Sequence, residues 1–290
     1  MDFNTIVIGA GPAGLASALY LKRAGIDVLL IDKDAPGGQL LKTSMVENYL
    51  GFESINGAEL ALKMFNHVKA NDIPLEFAEV LKVEKKGYFV VKTNKKDFKC
   101  KHLIIATGRV PSKLKIKDID NIKGISYCAV CDGTFYKEKT VGVVGGGNSA
   151  FTNALYLADL CKQVYLFVRG DVKADLELIN RAKNKGNIVV LKGNEINELM
   201  TENNVIKGVV FDDGKIIKVD GLFVAIGGKP NISFIDGLKL EKGYIKVNNK
   251  METSIKNVYA CGDVILKDFY QIATAISDGA IAALTIKEND

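Results

Sequence analysis

Apolar residues along this chain fall into short unbroken runs and longer stripes, and one arrangement of the two occurs twice. In TIVIGAGPAGLASALYLKRAGIDVLLID (Thr5 to Asp32), an apolar run ends in a glycine turn, a stripe at helical spacing follows, and a second apolar run closes the unit. TVGVVGGGNSAFTNALYLADLCKQVYLFVR (Thr140 to Arg169) repeats that order. The short runs predict buried strands, and the stretch between them predicts an amphipathic helix. Counted from Gly9 and Gly145, both copies reach the tetrapeptide ALYL at the same offset, at Ala18 and Ala154. A register shared over a whole strand–helix–strand unit predicts an α/β protein with two Rossmann-like, three-layer dinucleotide-binding domains.

The glycines give each copy its candidate chemistry. Gly9, Gly11 and Gly14 fit G-x-G-x-x-G. The first makes the tight turn, the second admits a pyrophosphate to the backbone, and the third lets helix pack on strand. The helix start then offers free N–H groups and a positive dipole end to phosphates. Asp32 closes the second strand, where a carboxylate accepts hydrogen bonds from an adenosine ribose. Alone the triplet marks no more than a tight turn; with strand, helix and Asp32 in place it predicts dinucleotide binding. The second copy has Gly145, Gly147 and Ala150, but Val168 stands in the register of Asp32. Arg169 and Lys173 are the cations near that strand end, a thin fork for a 2′-phosphate. Two readings stay open: a weak nicotinamide site, or a fold kept without its ligand.

Composition narrows the class. The 290 residues suffice for about two domains. Apolar residues at 48% and charged residues at 25% exclude a disordered chain. The longest apolar stretch, Thr5 to Leu21, lacks a basic lead-in and is broken by Gly11-Pro12, so neither a signal peptide nor a membrane span is expected. Five cysteines with one close pair make a poor disulfide framework, which points to the cytoplasm. The net charge of +5 is carried by lysine, the arginines being Arg23, Arg109, Arg169 and Arg181. With no basic helix and no aromatic–basic motif, no nucleic-acid partner is expected.

The close cysteine pair lies in CAVCDG (128–133). Such a pair is redox-active or half of a metal site. Zinc would need two further ligands, and Cys100, Cys161, Cys261, His67 and His102 show no ligand spacing, so no metal is expected. The three other cysteines lie in or beside apolar runs and read as core residues.

These features in this order resemble the low-molecular-weight thioredoxin reductases. The matching segments are GAGPAG (9–14), GGQL (37–40), ENY (47–49), IIATG (104–108), CAVCDG (128–133), GGGNSA (145–150), VAIGGKPN (224–231) and CGDV (261–264). The resemblance implies an FAD domain of residues 1–111 and 227–290, with the second Rossmann domain, 112–226, inserted into it and carrying the cysteines. It implies FAD contacts at Gly9, Gly11, Gly14, Asp32, Gly38, Gln39, Asn48, Thr107, Gly108, Gly262, Asp263 and Gln271, with Asp263 at the ribityl chain. Cys131 would face the flavin, Cys128 would be the interchange thiol and Asp132 the proton donor or acceptor. Thioredoxin is the implied substrate, and a homodimer the implied assembly.

Departures from the family gather on the nicotinamide side. Val168 to Lys173 reads VRGDVK where nicotinamide-dependent relatives carry His-Arg-Arg and a third Arg. FTNA (151–154) replaces an acidic pair, and Tyr270-Gln271 stands where relatives usually have Arg-Gln. In these respects the chain is most like the ferredoxin-dependent flavin thioredoxin reductases of anaerobic bacteria. Reduced ferredoxin is therefore the expected donor, and a basic balance suits an acidic carrier. The alternatives are an NADPH-dependent thioredoxin reductase with a weakened 2′-phosphate site, a flavin reductase of another disulfide protein, and a non-enzymatic flavin redox sensor.

Overall fold

The computed structural model describes Met1 to Asp290 apart from Ser44, Asn194 and the side chain of Asp120. Two compact units emerge. The first comprises Met1–Leu41, Met45–Val110 and Lys229–Asp290, and the second is built on Pro111–Gly228. The chain thus leaves the first unit one residue earlier, and returns to it two residues later, than the bounds read from sequence. The reason is local: the crossing segments Arg109–Pro111 and Gly228–Pro230 pair as a two-stranded ribbon, and each division falls inside it.

In the first unit, strand β1 (Phe3–Ile8) lies between β2 (Val28–Asp32) and the strand Asp97–Ile105, parallel to both. The end of that third strand pairs in parallel with Val258–Ala260, which the last part of the chain supplies. Its start pairs antiparallel with Phe89–Thr93, so the sheet is mixed. Ile6, Val7, Leu30, Ile31, Leu103, Ile104 and Ile105 have no exposed surface, which is why these parts of the strands read as apolar runs. Helix α1 (Pro12–Arg23) returns from β1 to β2, and α2 (Gly57–Lys69) is capped by the Asn56 side chain on the N–H groups of Ala58 and Glu59.

The second unit has a parallel sheet in the order Ile125–Ser126, Gly221–Val224, Thr140–Val144, Gln163–Val168, Ile188–Lys192. Alternate residues of its strands feed two different cores. Val141, Val143, Val164, Leu166 and Phe223 pack against α4 (Asn148–Ala158) and α5 (Leu176–Asn184). Val144, Phe167 and Leu222 pack instead with Leu199, Val209 and Phe211 of a small antiparallel sheet, Ile196–Glu202, Val205–Phe211 and Ile216–Lys218. The layers are helices, parallel sheet and antiparallel sheet. The short α3 (Ala129–Asp132) precedes the central strand.

Helix α6 (Ile272–Asn289) closes the first unit against α1. The two approach to backbone distance: a Cβ on Gly279 would fall 2.2 Å from the Ala13 carbonyl oxygen. Only glycine fits there. Among the described residues no helix is long and apolar enough to cross a membrane.

Candidate functional site

The first glycine turn is fixed by sterics. Gly9 has φ +105°, and a Cβ there would lie 2.4 Å from the Ala106 carbonyl oxygen. A Cβ on Gly14 would lie 1.8 Å from the Gly9 carbonyl oxygen, so both positions exclude side chains. Gly11 is the N-cap of α1, and a Cβ there would meet nothing within 4 Å. Gly38 faces it, its own ideal Cβ only 3.3 Å from the Gly11 Cα. The mouth of the turn is therefore lined by backbone. With no acid in its first turn and no capping side chain, α1 keeps its N–H groups and positive dipole end for an anion.

Asp32 sits at the end of β2 beside this mouth. Its carboxylate accepts the Ala10 N–H at 2.5 Å and the Asp34 N–H at 2.9 Å. Burial nevertheless pushes the carboxyl above its ordinary value of 3.8, with the backbone donors opposing the shift. The other residues implied for FAD also lie in this unit, and two of them bond directly. Asn48 Nδ2 donates to Gln271 Oε1 at 3.1 Å, and Gln271 is the N-cap of α6, in a capping box with Thr274. The Thr107 hydroxyl donates to the Asn231 carbonyl at 2.7 Å. Gly108 and Gly262 hold positive φ, +61° and +77°.

Arg109 is the residue that the motifs did not single out. Its carbonyl accepts Gln39 Nε2 at 3.0 Å, and its guanidinium Nη2 lies 3.1 Å from Asp263 Oδ2. The same guanidinium carbon stands 4.1 Å from the centre of the Tyr270 ring. The signal available in sequence was slight: one of four arginines, directly after Thr107-Gly108.

The second turn repeats the first, Gly147 being as open as Gly11, and the chain that follows is fastened to Gly146 and Asn148 beside it. Gly145 has φ +144°, a Cβ there would lie 2.3 Å from the Ala225 carbonyl oxygen, and Gly147 caps α4. The segment after Val168 folds back beside it. The Lys173 N–H donates to the Gly146 carbonyl at 2.6 Å, and an ideal Cβ on Gly146 would come within 3.1 Å of the Asp171 carbonyl oxygen. Asn148 Nδ2 donates to Asp175 Oδ2 at 2.7 Å, and the Asp175 N–H donates to Asn148 Oδ1 at 2.8 Å. Arg169 is engaged too, its Nη1 2.9 Å from Glu195 Oε1. A carboxylate thus stands against the first residue of α4.

In the same unit Cys128 and Cys131 form a disulfide, S–S 2.06 Å and Cα–Cα 5.3 Å. Cys128 is half-buried and Cys131 exposed. Cys128 is the N-cap of α3, and its Sγ accepts the Cys131 N–H at 3.2 Å. An N–H aimed at the sulfur favours negative charge there once the disulfide opens. Buried Ser126 organises the acid of the motif. Its hydroxyl accepts the Cys128 N–H at 3.0 Å and lies 2.7 Å from Asp132 Oδ2 and 3.2 Å from the Cys128 carbonyl. One hydroxyl proton serves one acceptor, and the shorter, charge-assisted bond to Asp132 takes it.

Comparison with known proteins agrees with this arrangement. The pyridine nucleotide-disulphide oxidoreductase family matches residues 3–279. The thioredoxin reductase of Mycoplasma pneumoniae is 39% identical over 299 aligned positions, covering 99% of this chain and 95% of that protein. The solved thioredoxin reductase of Lactococcus lactis, in its FR conformation, is 34% identical over 98% of each chain with a TM-score of 0.95. A ferredoxin-flavin thioredoxin reductase from Clostridium acetobutylicum is 32% identical over 99% of this chain and 97% of that one, with a TM-score of 0.56. Family match, near-complete coverage and a disulfide of the expected spacing agree: the chain belongs to the low-molecular-weight thioredoxin reductases of the pyridine nucleotide-disulphide oxidoreductase family.

Proposed function

We propose that this protein reduces the disulfide of thioredoxin through FAD and the Cys128–Cys131 pair, with reduced ferredoxin as the electron donor. The observation that carries the donor is the second glycine turn, with the Asp171–Asp175 segment packed against Gly146 and the Asp175 carboxylate clasping Asn148.

FAD fits the residues of the first unit. The backbone-lined mouth at Gly11 and Gly38 and the free start of α1 would hold its pyrophosphate, Asp32 its adenosine ribose, and Asp263 its ribityl chain. When bound, the flavin supplies two electrons to the disulfide. The chain's own residues handle the sulfur and the proton. Asp132, oriented by Ser126, exchanges the proton that accompanies cleavage of the S–S bond. The Cys128 thiolate attacks the thioredoxin disulfide, and a mixed disulfide forms as one thioredoxin sulfur leaves. Cys131 then displaces the second thioredoxin sulfur, which restores the Cys128–Cys131 bond and releases a dithiol.

Several features support ferredoxin. Val168 offers no ribose acceptor, Arg169 is paired with Glu195, and one of the solved structures this chain resembles is a ferredoxin-flavin thioredoxin reductase. The net charge of +5 suits an acidic carrier. One specific observation favours NADPH instead: the turn Gly145–Ala150 keeps the geometry of the first unit's phosphate turn. The deciding experiment is anaerobic reduction of the purified flavoprotein while the flavin absorbance is followed. Reduced ferredoxin should bleach it readily, more slowly as salt rises. Millimolar NADPH or NADH should act slowly or not at all. Rapid bleaching by micromolar NADPH would overturn the donor and leave thioredoxin reduction standing.

A further inference from the structure

We infer that Arg109 is a positioning residue of the flavin site, holding the Asp263 carboxylate in place and bringing a fixed positive charge to that site. The inference rests on the FAD reading of the first unit. Three residues or segments implied for FAD meet at Arg109. Thr107-Gly108 leads directly into it, Gln39 binds its carbonyl, and Asp263 binds its guanidinium. These contacts link positions 39, 109 and 263, far apart in the chain and close in the fold.

Its side chain is held from two directions. Asp263 lies at its edge, 3.1 Å away, and the Tyr270 ring covers its face at 4.1 Å. Both members of the ion pair are mostly out of solvent, with 25% and 22% of their side chains exposed, so screening is weaker than at an open surface. Only a planar guanidinium can bond a carboxylate with its edge while stacking on an aromatic ring with its face. Among the described residues Asp263 has no equal alternative. Lys267 stands 4.0 Å from its other oxygen, and that ammonium is already engaged by Asp278 at 2.7 Å.

Two consequences follow for a bound flavin. Arg109 occupies Oδ2 of Asp263, and a carboxylate oxygen has lone pairs to spare, so acceptor capacity remains for a polyol hydroxyl. Without the arginine, this largely buried carboxylate would keep only the more distant Lys267, 4.0 Å away, beside an anionic ligand. A fixed cation also stabilises the more electron-rich form of a nearby flavin, so it favours binding of reduced over oxidised FAD.

The test uses the full-length holoprotein with Arg109→Gln, Arg109→Lys and Tyr270→Leu. Arg109→Gln should weaken binding of oxidised FAD about tenfold and of reduced FAD about a hundredfold. The tenfold difference lowers the two-electron midpoint potential by about 30 mV. Arg109→Lys should keep the potential near wild type while binding FAD more weakly. In an Asp263→Asn background the effect of Arg109→Gln on oxidised FAD should largely disappear, as expected of coupled partners. FAD affinity within twofold of wild type together with an unchanged potential would overturn the inference. Should Arg109→Gln fail to fold, Tyr270→Leu decides: it frees the guanidinium and should weaken FAD binding about threefold, and no change would overturn the inference. Wild-type protein unable to bind FAD would sink the proposed function itself. Wild type that binds FAD beside an insensitive Arg109 would sink only this inference.

Discussion

Asp175 is the N-cap residue of α5 but gives that helix no side-chain hydrogen bond; its carboxylate reaches back 2.7 Å to the side-chain amide of Asn148, the first residue of α4. An N-cap aspartate ordinarily spends its oxygens on its own helix. Here it fastens the segment after Val168 beside the second glycine turn, and places a negative charge against the start of α4.

Asp175→Ala should therefore admit a dinucleotide. Removing one partly screened like charge is worth about 1 kcal/mol, which corresponds to roughly fivefold in affinity. NADH binding, measured by equilibrium dialysis, should tighten by about three- to tenfold. An unchanged or weaker affinity would show that the clasp does not govern access.

Ser126→Ala should slow thioredoxin reduction without loss of FAD. The hydroxyl holds the Asp132 carboxylate at 2.7 Å, and a hydrogen bond to a charged group contributes about 1.5–3 kcal/mol. Steady-state kcat should fall by about ten- to a hundredfold while the flavin absorbance per chain stays at the wild-type value. Full turnover would remove Ser126 from the proton path.

Thiol titration should separate the reactive pair from the core cysteines. Burial pushes Cys100 and Cys261 up to about 12 and Cys161 to about 11, and all three are buried. At pH 8 their thiolate fractions are then only about one in a thousand to one in ten thousand. Native oxidised protein should react with almost no Ellman reagent, and anaerobically reduced protein should show two fast thiols. Rapid labelling of the oxidised Cys128→Ser, Cys131→Ser double variant would contradict this.

Asp32 predicts a pH dependence with opposite signs for the apoprotein and for its ligand. Burial raises its folded-state pKa above 3.8, so the stability it contributes is present at low pH and lost as pH rises through the raised value. Ribose hydroxyls donate to the ionised form, so FAD affinity should instead rise through that same window. Thermal melts of apoprotein and FAD titrations between pH 4 and about 7 check both signs. Asp32→Ala should abolish the pH dependence of FAD affinity and weaken retention at pH 7.

The repeated units were legible because burial leaves a periodic trace. Ala18 and Leu21 in α1 have no exposed surface, and neither have Ala154 and Leu157 in α4, so the shared tetrapeptide turns the same face inward in both helices. Val168 ends its strand as Asp32 ends β2, in the register that the glycines set. What stayed hidden depends on chain segments meeting after folding. Arg109 lies 154 positions from Asp263, and no local pattern announces that pair. Asp175 and Asn148 lie 27 positions apart, and nothing local to either marks their bond. The third layer of the second unit was equally obscure, since the strand Ile196–Glu202 buries only Leu199 and leaves almost no alternation to detect.

The helix that packs beneath the first glycine turn is synthesised after every other element of the first unit. At about 5–20 residues per second, tens of seconds separate β1 from α6 as they leave the ribosome. Through that interval β1, β2 and α1 wait without the strand Val258–Ala260 and without the helix that brings Gly279 against Ala13. The second unit suffers no such delay, being built on the contiguous stretch Pro111–Gly228. The middle of the chain therefore matures before its beginning. Gly262, Asp263 and Gln271 belong to the same late segment, so any ligand that needs them must wait until the first unit is assembled.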